Sequence, residues 1–380
     1  MRQIGNRNIE EAREYHAATK HSNWSVRSGS HFLDWENKPL LHKIYPSLPS
    51  IPLPPHPTPP DAEVLATVSA FQSAGDRPLD REGLATVLFF CAGLTKKKIY
   101  PGGEEHHFRA AACTGALYEI EIYAVCGDLP GLGAGVYHFS PADFALRRLR
   151  EGDFRGELMS AAAGEEAISR APATLVLTAI SWRNAWKYQA RAYRHFFWNS
   201  GTILANLLAT TASAGLSSKV VRGFIDRRID RLLGMDDERE SSLCLVPLGT
   251  NDSVNPCREI PTIAHKTVPL SKEEVEYPEI RRMHLASMLS SEEEVRAWRA
   301  AFARRPGPPR GGTRSPLDLH SKSELSGRAL GDVIIRRGST RRFARVPISF
   351  RQLSTILHRS TRGIPADFLG GAGTSLLDTM

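Results

Sequence analysis

The stretch WRNAWKYQARAYRHFFWNSGTILANLLATTASAGLSSKVVRGF, Trp182 to Phe224, decides how the rest of the chain is read. Tyr193, Phe197, Gly201, Leu204, Leu208 and Thr211 recur at steps of three or four. Ile203 and Leu207 widen that face. The period is helical and predicts one long helix over the first thirty or so residues, stopped by Gly215. Its first two turns differ in character. Lys187, Arg191 and Arg194 fall on one face, and Tyr188 stands beside Lys187. A solvated basic face on a core helix and a set of donors around a proton carrier both satisfy that spacing.

Working outward, Ala173–Ile180 (ATLVLTAI) is apolar and β-prone throughout, which predicts a fully buried strand. Lys219–Phe224 and Ser241–Leu248 read as further strands. Asp226–Leu233 reads as a short helix between them, ended by Gly234. Upstream, Glu82–Ala92 is an amphipathic helix ended by Gly93, and Lys96–Lys98 reads as a solvated turn. Residues 109–128 form a small-residue loop leading into a strand at Ile120, Ile122 and Val125. Val136–Phe139 and Phe144–Leu149 read as a hairpin, followed by a helix around Phe154–Ala163. The glycines of 131–135 do not have dinucleotide-loop spacing, and no helix follows them. This order predicts an α+β fold, a mixed sheet flanked by helices.

The flanks are different. Residues 7–21 read as a charged helix, and 22–45 as an irregular arm. YPSLPSIPLPPHPTPP (45–60) reads as a stiff extended strap. Residues 271–303 are charged and helical, with SSEEEVRAW a capped start. RRPGPPRGGTRSP (304–316) is a linker by composition, and a new unit opens near Leu325.

Of 380 residues, 41% are hydrophobic and 24% charged, the balance of a soluble globular protein. The net charge of +8 gathers in Arg304–Arg314 and Arg336–Arg351 and suits an anionic partner. With no zinc-finger spacing and no RNA-binding aromatic signature, a phosphate-bearing cofactor is preferred to nucleic acid. Five cysteines without a C-x-x-C suit free thiols in a reducing compartment. Glu104, Glu105, His106 and His107 are adjacent in sequence and cannot all face one ion, so no metal is expected. No run approaches the ~18–20 apolar residues of a membrane span. The expected setting is cytoplasmic and away from membranes.

A short internal repeat aligns Pro78–Leu88 (PLDREGLATVL) with Pro347–Leu357 (PISFRQLSTIL). Upstream of the second copy stand Arg337, Ser339 and Arg341, two forked guanidinium groups with a hydroxyl between them. Such a set suits a phosphate, and a basic solvated loop also satisfies the spacing. The corresponding part of the first copy, Ser69–Ala74, has no arginine.

RAAACTGALYEIEIY, GVYHF, WKYQARAYRHFFWNSG and GLSSKVVRGF–RLLGMD together resemble the SagB-type, azoline-oxidising dehydrogenases of the FMN-dependent nitroreductase superfamily, over roughly residues 76–250. The resemblance implies a three-layer sandwich whose units pair around FMN. The expected organisation is an N-terminal arm and strap (1–61), a nitroreductase-like domain (62–255), a charged helical segment and linker (256–324) and a truncated second copy (325–380). The two copies would form an intramolecular pseudo-dimer, or the chain a homodimer. By resemblance Arg337, Ser339 and Arg341 hold the FMN phosphate, and Ala112, Cys113, Thr114 and Gly115 line the flavin. Lys219 and Arg222 form a later phosphate-side pair, and Lys187 and Tyr188 are the catalytic groups, with Arg191 lowering the pKa of either. Cys113 stands where the family has serine, and Glu119 where it has proline. The substrate would be a small molecule or a peptide, with NAD(P)H as electron donor in the nitroreductase version. A non-catalytic accessory protein of a peptide-modification complex is the rival expectation.

Overall fold

A computed structural model describes residues 8–28, 31–68, 77–101, 103, 105–251, 257–303, 315–321, 324, 327–361 and 363–369. The Ser69–Ala74 segment, most of the 304–316 linker and Leu325 lie outside these residues.

The chain begins with helices α1 (Ile9–Thr19) and α2 (Asn23–Ser28) and reaches the short strand β1 (Ser50–Pro52) through the proline-rich strap. Helices α3 (Val64–Thr67) and α4 (Arg81–Ala92) follow, then the hairpin β2 (Leu94–Ile99) and β3 (Glu105–Arg109). A meander of β4 (Ile120–Cys126), β5 (Gly135–Ser140) and β6 (Ala145–Glu151) leads to α5 (Arg155–Ala161) and α6 (Glu166–Ser169). Strand β7 (Ala173–Ile180) runs directly into α7 (Ser181–Tyr188) and then α8 (Ala192–Ser213). Next come α9 (Asp226–Leu233) and β8 (Glu240–Leu248), then α10 (Pro278–Ser287) and α11 (Glu292–Ala303), and finally α12 (Leu330–Arg336) and α13 (Phe350–Thr361).

Six strands form the main sheet in the order β1-β6-β5-β4-β7-β8. Every neighbouring pair in that order is antiparallel. The parallel part of the sheet is at its far edge. Residues 218–221 join β8 through the bridges Ser218↔Leu248 and Val221↔Leu245, and Ala366 pairs in parallel with Val220. The proline-bearing β1 takes the opposite edge, where a missing N–H costs least.

Alternation along the central strands makes three layers. Ile120, Ile122 and Ala124 of β4, with Leu175 and Leu177 of β7, pack under Leu84, Val87 and Leu88 of α4 and Phe196, Ile203 and Leu207 of α8. Tyr123, Val125 and Val176 point the other way, against Leu158 of α5, Ile168 of α6 and Ile229, Leu232 and Leu233 of α9. Period-two strands with both faces apolar require helices on both sides. The observed architecture is the expected α+β sandwich, one sheet with helices on both faces.

Several local expectations are corrected. The long helix is broken, because Gln189 adopts φ 51° and ends α7, and a single turn of 3₁₀ helix (Gln189–Arg191) precedes α8. The inward face of α8 is Tyr193, Phe196, Asn199, Ser200, Ile203 and Leu207, while Gly201 faces out. A buried hydrogen bond from Asn199 draws a polar residue inward, which an apolar periodicity cannot register. Lys96–Lys98 lie in β2, paired with β3, where Lys97 meets Glu105 at 2.6 Å. Lys219–Phe224 form an irregular edge joined by single bridges, in place of a regular strand.

The arm and the C-terminal part both fold back on this unit. Tyr15 Oη donates to Ala190 O (2.7 Å), and Arg194 Nε donates to Thr19 Oγ1 (2.9 Å). Leu330 and Ile334 of α12 pack with Phe90 and Ala209, and Glu63 pairs with Ala329 in an antiparallel bridge. Helix α13 exposes its apolar face, with Leu353, Ile356 and Leu357 at 40%, 56% and 43%.

Candidate functional site

The loop between β3 and β4 is conformationally special. Gly115, Ala116 and Tyr118 all have positive φ, at 67°, 53° and 51°. Two of these are not glycine, so surrounding contacts must hold the loop in place. Asn199 does much of this from α8. Its Oδ1 accepts from Thr114 N (3.0 Å) and Thr114 Oγ1 (2.9 Å), and its Nδ2 donates to Glu119 Oε1. Cys113 Sγ donates to Glu119 Oε2 (3.3 Å) and accepts from Tyr118 N (3.1 Å). Thr202 Oγ1 donates to Ala112 O (2.6 Å). Glu119 is fully buried, and burial pushes its carboxyl above the usual range. Burial, and then the Glu119 carboxyl, push the Cys113 thiol well up, so it is no nucleophile at neutral pH.

Tyr188 lies against this loop. A Cβ added to Gly115 would sit 2.9 Å from Tyr188 Oη, so glycine is required there by backbone conformation and by space. The break at Gln189 lets the last turn of α7 face the loop. The Tyr188 ring meets His195 edge-on at 4.5 Å, and His195 Nδ1 hydrogen-bonds Asn184 Oδ1 at 2.8 Å. Burial, with Arg191 adding to it, lowers His195 to about 4 and leaves the imidazole neutral. Lys187 Nζ is 5.7 Å from the centre of the Tyr188 ring.

One expectation about this pair is overturned. Tyr188 is raised above the usual phenol range, by burial first and then by the nearby Cys113 and Glu119. Arg191 does not lower it, because its guanidinium donates to Thr19 O on α1. Tyr188 therefore holds its proton at neutral pH and suits the role of donor.

The remaining sequence-derived residues divide. Arg337 reaches the loop, with Nε on Ala110 O (3.1 Å) and a terminal nitrogen on Arg109 O (2.9 Å). Ser339 and Arg341 follow on an exposed segment without regular secondary structure. Lys219 is elsewhere, paired with Glu165 at 2.6 Å. Arg222 stands over the Phe197 ring at 4.8 Å, beside a different cavity. Sequence reasoning missed Asn199, His195 and Asn184. The available signal was His195 and Asn199 at i, i+4 in an otherwise apolar run, and the unexplained Glu119 at the head of β4.

The space behind the loop, among Arg109, Cys113, Tyr118 and Ile203, is about 240 Å³ with its open side included. That is below the roughly 300–1,000 Å³ of a pocket that swallows a cofactor-sized ligand. The outer side of Ala112, Gly115 and Ala116 is exposed and nearly free of side chain. The space behind the loop is too small for a cofactor-sized ring, which leaves the exposed backbone of Ala112, Gly115 and Ala116 as the accessible side.

Residues 85–250 match the sequence model of the nitroreductase family. A Methanocaldococcus jannaschii protein named as a nitroreductase is 29% identical over 172 residues, 45% of this chain and 81% of that one. A crystal structure described as a nitroreductase from Anabaena variabilis superposes with a TM-score of 0.65 at 23% identity, covering 91% of this chain and 67% of its own. The Escherichia coli microcin synthetase McbBCD complex, with truncated pro-MccB17 bound, gives a TM-score of 0.40 at 19% identity, over 65% of this chain and 96% of that one. The match to the family's sequence model is confined to residues 85–250, and the likeness to the Anabaena variabilis structure is one of fold.

Proposed function

We propose that the chain is an FMN-dependent oxidoreductase whose flavin ring lies on the Ala112–Gly115 surface, with its phosphate held by Ser339 and Arg341 beside Arg337. The observation that carries this reading is the meeting of three separate segments at one loop: Tyr188 from α7, Asn199 from α8 and Arg337 from the C-terminal part. When bound, FMN supplies two-electron transfer. The chain's own groups do the rest. Asn199 and Glu119 fix the loop, and the small residues admit a ring against the backbone. Tyr188 keeps a proton on Oη for delivery to a substrate atom. Lys187, next to it and half-buried, places its Nζ 5.7 Å from the centre of the Tyr188 ring, within reach of the same surface.

By resemblance the Lys187–Tyr188 pair points to the azoline-oxidising version, in which a thiazoline or oxazoline in a peptide would give up one proton to a base beside it and a hydride equivalent to the flavin to become an azole; a protonated Tyr188 would there orient the substrate, and would act as donor only where the substrate is reduced. In the nitroreductase version NAD(P)H delivers the electrons. We further propose that 325–380 begins a second copy. Two observations support it: the repeated stretches form the helices α4 and α13, and the two parts meet through the Glu63↔Ala329 bridge. A second reading, a non-catalytic accessory protein, draws support from the engagement of Arg337 by backbone carbonyls and of Lys219 by Glu165.

The test is flavin content and turnover. The purified chain should show flavin absorbance or take up added FMN, and Ser339→Ala/Arg341→Ala should lose it. Tyr188→Phe should keep flavin and lose turnover of an azoline peptide. A colourless protein that takes up no FMN sinks the enzyme reading. Anaerobic NADPH that fails to bleach bound flavin rules out the nitroreductase version.

A further inference from the structure

Tyr193 and Phe197 stand two residues before His195 and Asn199, about 200° round α8 from the face that holds the loop. There the helix borders a separate cavity of about 1100 Å³, its open mouth included, between α8, β8, α10 and α11. Five rings wall it: Tyr193, Phe197, Phe224, Trp298 and Phe368. Most of its polar groups are already engaged. Asp226 Oδ2 accepts from Leu289 N (2.8 Å), Ser242 Oγ donates to Asp230 (2.7 Å), and Tyr193 Oη pairs with Ser287 Oγ (3.0 Å).

Two groups are not engaged in this way. The His284 imidazole is 8% exposed, borders the cavity, and has no hydrogen-bond partner on its ring among the described residues. Arg222 at the mouth has no ion pair with a described residue; its guanidinium rests on Phe197. Burial lowers His284 to about 4 and raises Asp226 to about 8, so the floor carries no charge at neutral pH. The backbone amides at the mouth are taken. Arg222 N and Gly223 N both donate to Asp367, at 2.9 Å each, and Arg299 Nε does too (2.9 Å). A phosphate seeking those donors would have to displace a carboxylate that is wholly buried.

We propose that this cavity binds a flat, uncharged aromatic or heteroaromatic ring carrying one carboxylate, the ring among the five aromatic side chains and the carboxylate on Arg222. A polar ring atom would meet His284. Aromatic walls with a few convergent polar groups are the usual make-up of a small-molecule site, and guanidinium is the natural partner of a carboxylate. The site is independent of the loop beside Tyr188 and does not rest on the flavin reading.

The probes are 2-naphthoate and the uncharged 2-naphthamide, titrated calorimetrically into the full chain at neutral pH, with Trp298 fluorescence as a second readout. One naphthoate per chain is expected, bound roughly tenfold more tightly than the amide, the value of one charge-assisted pair. Arg222→Gln should bring naphthoate down to the amide and leave the amide unchanged; its side chain is exposed, so the fold is kept. His284→Leu should weaken quinoline-2-carboxylate and spare naphthoate. Tyr188→Phe should change none of these affinities. The proposal is overturned if neither probe binds, if Arg222→Gln has no effect on the ratio, or if FMN displaces naphthoate, which would make the cavity the flavin's own.

Discussion

Replacing Asp226 by asparagine should flatten the pH dependence of stability. The carboxyl is nearly wholly buried, and burial raises it from 3.8 to about 8, with Asp230 adding to the rise while Leu289 N and Arg222 oppose it. The folded chain therefore binds this proton more tightly than the unfolded chain. The stability that follows is complete below about pH 3.8 and is lost as pH rises through about 8. One proton is worth about 1.4 kcal/mol per pH unit, so raising the pH from about 6 to about 8 should cost about 2 kcal/mol from this group alone. Asparagine keeps an oxygen for Leu289 N and cannot ionise. Urea unfolding of both proteins at about pH 6, 7 and 8 gives the difference directly. The asparagine variant should gain about 2 kcal/mol on the parent over that range. Asp230, raised to about 7, titrates in the same window and is present in both proteins, so most of its effect cancels. Parallel stability curves would refute the reasoning, because they would mean that Asp226 ionises in the folded chain as it does in the unfolded one.

Gly115→Ala should cost about 1–2 kcal/mol from the left-handed backbone alone, and its methyl, 2.9 Å from Tyr188 Oη, should also move the phenol; denaturant unfolding and Tyr188 fluorescence in a tryptophan-depleted background would read both effects. Lys43 Nζ lies 2.5 Å from the buried Glu240 and 2.8 Å from Tyr123 Oη. Lys43→Met should lose about 3–5 kcal/mol by leaving that carboxylate unpaired, and Lys43→Met/Glu240→Gln should recover much of the loss in the same urea titration. Arg337→Ala removes both hydrogen bonds to the Arg109 and Ala110 carbonyls. It should lower stability by roughly 1–3 kcal/mol and raise amide exchange in α12 in hydrogen-exchange measurements.

How much of this was legible in the sequence depended on whether the determinant was local. Ala173–Ile180 announced a strand buried on both faces through composition alone, and it lies inside the sheet, between β4 and β8. Gly234 takes the left-handed conformation that ends α9, and Asp80 caps α4 through Gly83 N. Both are decided within a few residues. The break at Gln189 was not legible, because Trp182–Thr211 keeps helical periodicity across it. Tertiary contacts decide it, with Tyr15 bonding to Ala190 O and Arg191 held by α1. Asn199 interrupts an apolar face, and its partners Glu119 and Thr114, 80 and 85 residues earlier, explain why it points inward. Resemblance drew Lys219 and Arg222 into one group with the arginines near the C-terminus. In space Glu165 claims the first, and the second borders a different cavity.

The aligned helices α4 and α13 show what a hydrophobic pattern does and does not specify. Leu84, Val87 and Leu88 are fully buried, and the matching Leu353, Ile356 and Leu357 are 40–56% exposed. The pattern makes both segments amphipathic helices, and their burial depends on what lies alongside. Helix α4 has α8 and the sheet. Helix α13 meets residues 318–321 and Glu324, through Arg351 on Asp318 and Glu324 and His320 N on Thr355 Oγ1. Full burial of such a side chain is worth roughly 1.5–3 kcal/mol, and at 40–56% exposure each of the three forgoes about half of that. A surface of the kind α8 offers α4 is what the repeated pattern of α13 matches. Arg337 ties the segment before α13 to the loop at Arg109 and Ala110, so covering α13 would also bear on how firmly that loop is held.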